Sequence, residues 1–401
     1  MSETILAVLL GIAVGTITGL VPGLHVNTLL ALLLTTPLAT LPKQLQGELA
    51  LGIVALCVTH SFVGFIPSTL LGIPTEDKAL AVLPGHRFAK KGLALYAIRL
   101  TVIGGFSALL FSVAFVPLLG KLLEQTFEYF LPFTPFALAG ILASMVLREK
   151  TIEKKAMTLA VVVLSGLSGV ALLNNSLFSN NLFVFVTGFF TVPGLLLSVS
   201  QKNALPKQKE TAKKMRLGKA AKAGFLSGIA SCFTVFLPAI GPNEAILAST
   251  KLGKKPSATQ YLLLSGGVST ANFVTSFAAL FMIGKTRTGA AVFLKQTLPL
   301  TGENFLLVIA AIITAGGLAG LITDSLAKTA VKKFEKTDYA LLSKLTLGFV
   351  LLLVFFLSGP IGFIALAPVS CIGLLAVSCK VNRSTCMAFL IVPAILFYVT
   401  H

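Results

Sequence analysis

Two short polar stretches interrupt apolar sequence and share one order of residues. "VPGLHVN" (21–27) and "LPAIGPN" (237–243) each carry a proline and, five residues later, an asparagine. Proline cannot continue a helix, and an asparagine amide offers donors and an acceptor without a net charge. At membrane depth such a break is tolerated where it lines a wet cavity, and there it presents helix ends to ions. The two stretches therefore predict a paired site for a carboxylate and a monovalent cation.

A second pair of breaks follows downstream at a similar spacing. "GIPTEDK" (72–78) and "GKTRTG" (284–289) each come after an apolar helix pattern that stops at a glycine. Lys285 and Arg287 are candidates to bind an anion, Arg through paired hydrogen bonds and Lys as a point charge. The alternative is that both cations lie at the membrane interface and extend into water.

These breaks define the candidate residues. The predicted substrate-binding residues are His25, Asn27, Thr28, His60, Ser68, Thr75, Asn243, Asn272, Lys285, Thr286 and Arg287. The predicted coupling-ion residues are Asn27, Asn243 and Glu244, of which Glu244 either binds a proton or cation or caps the next helix. The predicted break residues are Pro22, Gly23, Gly72, Pro74, Pro238, Gly241, Pro242 and Gly284. No catalytic motif, metal-ligand cluster or nucleotide-binding loop is visible, so we expect neither an enzyme nor a resident cofactor.

The elements that must position these residues are membrane helices. The chain has 401 residues, of which 55% are hydrophobic and 11% charged, whereas about 25% charge is usual in soluble domains. Uncharged runs such as 156–201 and 345–379 exceed the roughly 20 residues that a membrane span needs. The runs do not alternate as barrel strands would. The sequence predicts an all-α polytopic membrane protein.

The formal net charge of +18 indicates orientation rather than nucleic-acid binding. The positive residues concentrate in short loops, namely 86–92, 148–155, 201–222, 251–255, 328–336 and 380–383. Cytoplasmic loops of membrane proteins carry this excess of Lys and Arg. We therefore expect a multi-pass protein of the plasma membrane with cytoplasmic basic loops and its N-terminus outside. Contact with membrane lipid, including anionic lipid, follows from the same charge.

A basic linker, 201–222, divides the chain into membrane repeats 1–200 and 223–401. With the basic loops inside, the repeats run in opposite directions, and each holds a broken hairpin and about five transmembrane helices. The hairpins fall near 4–41 and 223–250, and the charge pattern is the same whether they are re-entrant or fully spanning. The remaining helices are predicted at 48–72, 94–119, 129–147, 156–173, 182–200, 258–284, 304–323, 341–357, 359–379 and 384–400.

At these motifs the sequence resembles the large membrane subunit of tripartite tricarboxylate transporters, the TctA family, in a short form. The resemblance rests on "GLVPGLHVNTLLALLL" (19–34), on 65–92, and in the second half on "SGGVSTANFVTSF" (265–277) and "IGKTRTGAAV" (283–292). It implies a secondary transporter with inverted repeats and re-entrant hairpins, an ion-coupled organic anion as substrate, and elevator-type movement. A small membrane subunit and an extracytoplasmic binding protein are the partners that it implies, with a standalone transporter as the alternative.

We therefore expect secondary active symport of a di- or tricarboxylate-like anion with Na⁺ or H⁺, and a homo-oligomer. The main alternative is a flippase or transporter for a lipid-linked phosphate or another anionic lipid head group, which the same broken helices and cations would suit. A central cavity that opens sideways to lipid would favour this alternative. A purely structural scaffold would tolerate alanine at Asn27 and Asn243.

Overall fold

The described secondary structure is helical throughout. The computed structural model describes residues 2–21, 26, 30, 33, 40–72, 79–173, 175–200, 206–209, 216–236, 256–334 and 339–400. Nine helical stretches within this part of the chain are long and apolar enough to cross a membrane. The prediction of an all-α polytopic membrane protein is confirmed. The inverted relation of the two repeats stays a prediction.

The helices have the following bounds. The first predicted repeat contains α1 (Ser2–Leu20), α2 (Lys43–Val63), α3 (Phe65–Leu71), α4 (Ala79–Ala89), α5 (Ala94–Phe130), α6 (Thr134–Leu147), α7 (Ile152–Leu172), α8 (Asn181–Val186) and α9 (Val192–Ser200). A 3₁₀ turn, Leu131–Phe133, joins α5 to α6, and a π turn, Thr187–Thr191, joins α8 to α9. The second contains α10 (Leu217–Phe236), α11 (Ala258–Ile283), α12 (Gly289–Thr297), α13 (Gly302–Phe334), α14 (Tyr339–Ser378) and α15 (Ala388–Thr400), with a 3₁₀ turn, Arg383–Met387, before α15.

Helices α1 and α2 run side by side in the same direction. Near their middles, Gly11 lies against the backbone carbonyl of Gly52, and near their ends Gly19 lies against Val63. Glycine is needed at these contacts because a side chain would separate the two backbones. Since residue numbers increase together along both helices, the chain between them returns to the end where α1 begins.

That return is anchored where it reaches α2 and within the core. At the first turn of both helices, the Gln44 side-chain amide donates to a Glu3 carboxylate oxygen at 2.6 Å. Val26 and Leu30, within the returning segment, are buried in the same apolar core as α2. Both the re-entrant and the fully spanning form of the predicted hairpin contain such a return.

Helices α10 and α11 in the second repeat are also parallel neighbours. The Ser227 hydroxyl faces the Leu264 carbonyl at 3.4 Å, and the hydroxyls of Ser231 and Thr275 lie 2.9 Å apart. Both serines and Thr275 are fully buried. The second hairpin therefore starts with the same helix arrangement as the first.

Helix α5 joins the two repeats through its contact with α11. Gly104 of α5 lies against the Leu263 carbonyl, and Gly266 of α11 lies against the Thr101 carbonyl. Any side chain at either glycine would overlap the partner's backbone, so this contact fixes the distance between the helices. Helix α13 packs on both α2 and α5 beside this contact.

The remaining helices form a second packed group. Helix α15 packs along α7, where Gly169 lies against the Phe389 carbonyl. The Phe389 ring stacks on Phe185 with ring centroids 4.8 Å apart. Helix α14 packs on α8, on α9 and on the π turn between them. Each group therefore contains helices from both predicted repeats. Helices α1–α5 lie beside α10–α13, and α6–α9 lie beside α14 and α15.

Several predicted helix ends were wrong. Helix α5 continues to Phe130, beyond the predicted end at 119, and α13 continues to Phe334, beyond the predicted end at 323. Charged residues at those ends interrupt the apolar run, but Lys, Glu and Leu are good helix formers and the helices continue through them. The predicted division near 358 is present, since Gly359 inside α14 has a non-helical φ of 71°.

Candidate functional site

Many predicted site residues lie outside the described part of the chain. They are Pro22, Gly23, His25, Asn27, Thr28, Pro74, Thr75, Pro238, Gly241, Pro242, Asn243 and Glu244. The residues that the structure does describe are His60, Ser68, Gly72, Asn272, Gly284, Lys285, Thr286 and Arg287. The elements that flank the breaks are also described.

In the first repeat, a buried polar pair links the end of α1 to α2. The Nδ1 atom of His60 lies 3.1 Å from the hydroxyl oxygen of Thr18, and both side chains are at least nine-tenths buried. Thr18 stands in the last turn of α1, four residues before Pro22 in the sequence. The pair holds the end of α1 against α2.

In the second repeat, a matching pair links the end of α10 to α11. The Thr234 hydroxyl donates to the side-chain oxygen of Asn272 at 3.1 Å. Thr234 is fully buried, and its own position is four residues before Pro238. Asn272 is partly exposed, and its side-chain amide carries two further hydrogen-bond donors.

The two pairs occupy equivalent positions. Each threonine stands four residues before the proline of its repeat. His60 stands twelve residues before Gly72, which ends α3, and Asn272 stands twelve residues before Gly284, which ends α11. The contact of Gly11 with Gly52 is likewise equivalent to that of Ser227 with Leu264. In each repeat the first residue stands seven before the threonine, and the second stands eight before His60 or Asn272. The two hairpins therefore share a helix register as well as a motif.

Both pairs are close to one point on α5. A Cβ atom at Gly105 would lie 2.9 Å from the Phe62 ring and 3.0 Å from the Thr270 hydroxyl. Phe62 is two residues after His60, and Thr270 is two residues before Asn272. Gly105 thus brings α2 and α11 together at the level of the polar pairs.

The first predicted glycine break is present at Gly72. Helix α3 ends there with a positive φ of 66°, a conformation that glycine adopts without strain. The Gly72 amide donates to the carbonyl of Ser68, whose side chain is buried. The ring of His86 covers Gly72, and its Nδ1 atom lies 3.1 Å from the Thr69 carbonyl oxygen. Burial lowers the pKa of His86 below its ordinary value of 6.5.

The second predicted glycine break is present at Gly284, where α11 ends with the same φ of 66°. Three cations surround it. Lys285 is exposed and its ammonium lies 5.6 Å from the centre of the Phe127 ring, and the Lys295 ammonium donates to the Gly284 carbonyl at 3.4 Å. Burial lowers the pKa of Arg287 to about 10, so this guanidinium stays charged at neutral pH.

The polar face of α11 leads to this cationic break. The hydroxyls of Ser276 and Thr288 lie 3.1 Å apart, and Thr288 follows Arg287 directly. Thr286 is exposed at the same turn. The structure therefore gathers Lys285, Thr286 and Arg287 at the end of α11. Asn272 lies twelve residues before that end, beside Thr234, and His60 lies in α2, beside Thr18.

Sequence reasoning missed four of these residues. Thr18 and Thr234 align with each other in the repeated motif, so their matching positions were a usable signal. Thr288 and Lys295 follow the second break, but their approach to Ser276 and Gly284 depends on the turn into α12. Local sequence does not contain that information.

The comparisons with known proteins agree with the motifs. The family model described as tripartite tricarboxylate transporter TctA family matches residues 5–388. An uncharacterized protein of Methanocaldococcus jannaschii is 29% identical over 402 residues, and the alignment covers 98% of each chain. No solved structure matches the chain. The family match extends across both predicted repeats and confirms the resemblance. The chain belongs to the tripartite tricarboxylate transporter TctA family.

Proposed function

We propose that this membrane protein moves a di- or tricarboxylate-like anion by secondary active transport, coupled to a gradient of Na⁺ or H⁺. The anion binds at the helix breaks of the two repeats. The observation that carries the proposal is the equivalence of the Thr18–His60 and Thr234–Asn272 pairs. Buried polar pairs within apolar helices are costly unless they serve a site or a specific contact. Their repetition beside both breaks favours a shared site.

The charge at the Gly284 break suits an anion. Arg287, Lys285 and Lys295 all lie at or near this turn, so positive charge is concentrated there. Arginine binds a carboxylate through two parallel hydrogen bonds, which gives both affinity and orientation. A substrate with two or three carboxylates could engage these cations and the amide of Asn272 together.

The helix ends at both breaks suit a cation. Helices α3 and α11 end at Gly72 and Gly284, and the C-terminal end of a helix carries partial negative charge on its free carbonyls. Transporters with broken helices use such ends for Na⁺ or H⁺ and helix N-termini for anionic groups. Binding of a cation and an anion to one transport site would couple their movement.

Large subunits of this family usually work with an extracytoplasmic binding protein and small membrane subunits. For the present chain, that assembly is part of the proposal, and uptake by the purified chain alone would argue for a standalone transporter.

The test is anion binding and uptake by purified protein, with His60→Ala and Asn272→Ala beside a matched control. Ser61→Ala is the control, because Ser61 is a buried neighbour whose hydroxyl bonds to the Val58 carbonyl of its own helix. We expect citrate or a dicarboxylate to bind, and each site variant to weaken binding by about tenfold, as loss of one buried hydrogen-bonding partner predicts. The control should bind as wild type does.

Two results would count against the proposal. Unchanged carboxylate affinity in both site variants would mean that the polar pairs serve only helix packing. Binding of a polyprenyl phosphate, with no response to any carboxylate, would favour the lipid-phosphate flippase instead. Proteoliposome uptake with and without a Na⁺ or H⁺ gradient then identifies the coupling ion.

A further inference from the structure

Helix α11 carries a polar stripe that the anion site does not explain. Ser265, Ser269, Asn272 and Ser276 are spaced by four, three and four residues, so they lie on one face of the helix. Ser265 and Ser276 are fully buried, and Ser269 is 2% exposed. This is a line of neutral oxygen atoms inside an otherwise apolar helix.

Among the residues that the structure describes, the hydroxyls of Ser265 and Ser269 have no hydrogen-bond partner. Other hydroxyls on the same helix bond back to its carbonyls, with Thr270 donating to Gly266 at 3.2 Å and Thr275 to Ala271 at 3.1 Å. Ser265 and Ser269 do not use this arrangement. A buried hydroxyl without a partner loses the interactions that it had with water, which is unfavourable unless a ligand restores them.

Ser265 and Ser269 lie between the face of α11 that packs on α5 and the face that packs on α10, whereas Asn272 of the same stripe bonds to Thr234 of α10. Gly266 and Thr270 face α5, and Gly267 and Thr275 face α10. The two serines occupy the third face, beside Leu262, which contacts Gly85 of α4. This face of α11 is therefore the one that packs on α4.

The first repeat offers a comparison, because its equivalent positions carry no hydroxyl. Asn272 and His60 are 212 residues apart in the sequence. The same offset makes Ile53 the equivalent of Ser265, and Cys57 the equivalent of Ser269. Both Ile53 and Cys57 are buried in the apolar core. Packing at this place in the fold therefore does not require hydroxyls, and their presence in α11 is specific to the second repeat.

We propose that Ser265 and Ser269 bind the coupling cation, and that this cation is Na⁺. Neutral hydroxyl and carbonyl oxygens are hard ligands without charge, which suits a monovalent hard cation better than a divalent or soft metal. Asn272, one turn further along, supplies a side-chain oxygen that also accepts from Thr234. Cation binding here would orient Asn272 for the anion. The inference deepens the proposed function, since it assigns the cation of that same transport site.

The experiment measures sodium binding in the absence of any organic anion. The melting temperature of the purified protein is followed as NaCl replaces choline chloride at constant ionic strength. A cation that binds the native state raises the melting temperature in a saturable way. We expect this for Na⁺ in wild type and a sodium concentration for half-maximal stabilisation that is about tenfold or more higher in Ser265→Ala and Ser269→Ala.

Two further variants guard against trivial explanations. Ser61→Ala removes a buried serine hydroxyl that is already bonded within its helix, and it should respond to sodium as wild type does. Ser269→Cys keeps the size of the side chain and copies Cys57 of the first repeat, so it should fold normally. Its soft sulfur should nevertheless weaken sodium binding by a similar factor.

An unchanged sodium response in Ser265→Ala and Ser269→Cys would overturn the proposal, as would equal stabilisation by sodium and choline. The hydroxyls would then hold buried water or nothing. Failure here is distinguishable from failure of the proposed function, because carboxylate binding is measured separately. Carboxylate binding that persists without a sodium response would refute the cation site alone.

Discussion

The contact of Gly15 with α2 makes the closest link between packing and the candidate site. A Cβ atom at Gly15 would lie 2.6 Å from the Leu56 carbonyl oxygen and 2.9 Å from the Cβ of Thr59. Ordinary contact begins at 3.4 Å, so Gly15→Ala needs a separation of 3.4 Å less 2.6 Å, which is 0.8 Å. The atoms met first are backbone, so the two helices themselves must move.

The same movement affects the polar pair one turn away. Thr18 and His60 are 3.1 Å apart, and a further 0.8 Å would place them at 3.9 Å, beyond hydrogen-bonding distance. Overpacking costs about 1–3 kcal/mol, and loss of the hydrogen bond adds about 1 kcal/mol. The better helix propensity of alanine offsets about 1 kcal/mol. We expect Gly15→Ala to lower the free energy of unfolding by about 1–3 kcal/mol.

The assay compares Gly15→Ala with Gly140→Ala in one detergent. Gly140 lies inside α6, and nothing approaches within 4 Å of a Cβ atom placed there. The control should therefore gain up to about 1 kcal/mol from helix propensity. Because membrane proteins often unfold irreversibly, half-lives at fixed temperature are measured beside melting curves. Equal stability of the two variants would refute the packing derived for α1 and α2.

Two further predictions concern the region around α4. Burial lowers the pKa of His86, so the unfolded chain binds more protons than the folded one, and the melting temperature should fall as pH drops below about 6.5. His86→Gln should make the melting temperature less dependent on pH. An unchanged dependence would mean that other groups cause it. Gln208 receives the Ala94 amide at 3.0 Å and donates to the Ala89 carbonyl at 3.0 Å, which fastens the linker to the turn between α4 and α5. Gln208→Ala should therefore speed trypsin cleavage within 201–222. Gln125→Ala, at an exposed position of α5, should not. Equal cleavage in both variants would mean that Gln208 does not hold the linker.

The features that sequence could predict are those set by local chemistry. Long apolar runs predict membrane helices because each span must bury its own backbone hydrogen bonds. The helix ends at Gly72 and Gly284 were predictable because a positive φ strongly favours glycine. The positions of Lys285 and Arg287 beside such an end followed directly.

The features that sequence could not predict depend on which helices meet. Nothing local to Gly104 indicates that Leu263, more than 150 residues away, approaches its backbone. The partners of His60 and Asn272 were missed for the same reason, although Thr18 and Thr234 share a position in the motif. Helix extension through charged residues, as at the end of α5, was missed because hydropathy reports membrane thickness rather than helix length.

The repeats share a geometry but differ in chemistry, and this difference bears on mechanism. At equivalent positions the first repeat places His60 where the second places Asn272, and Cys57 where the second places Ser269. If two identical sites were required, equivalent polar residues would be expected in both repeats. A shared helix register with different side chains instead suits one composite site, to which each repeat contributes a different ligand. Under the proposed function, the second repeat would supply the neutral oxygens for the cation and the cationic side chains for the substrate, and the first repeat would supply the imidazole of His60. Exchange of His60 and Asn272 between the repeats should therefore impair anion binding, even though it conserves the composition of the site.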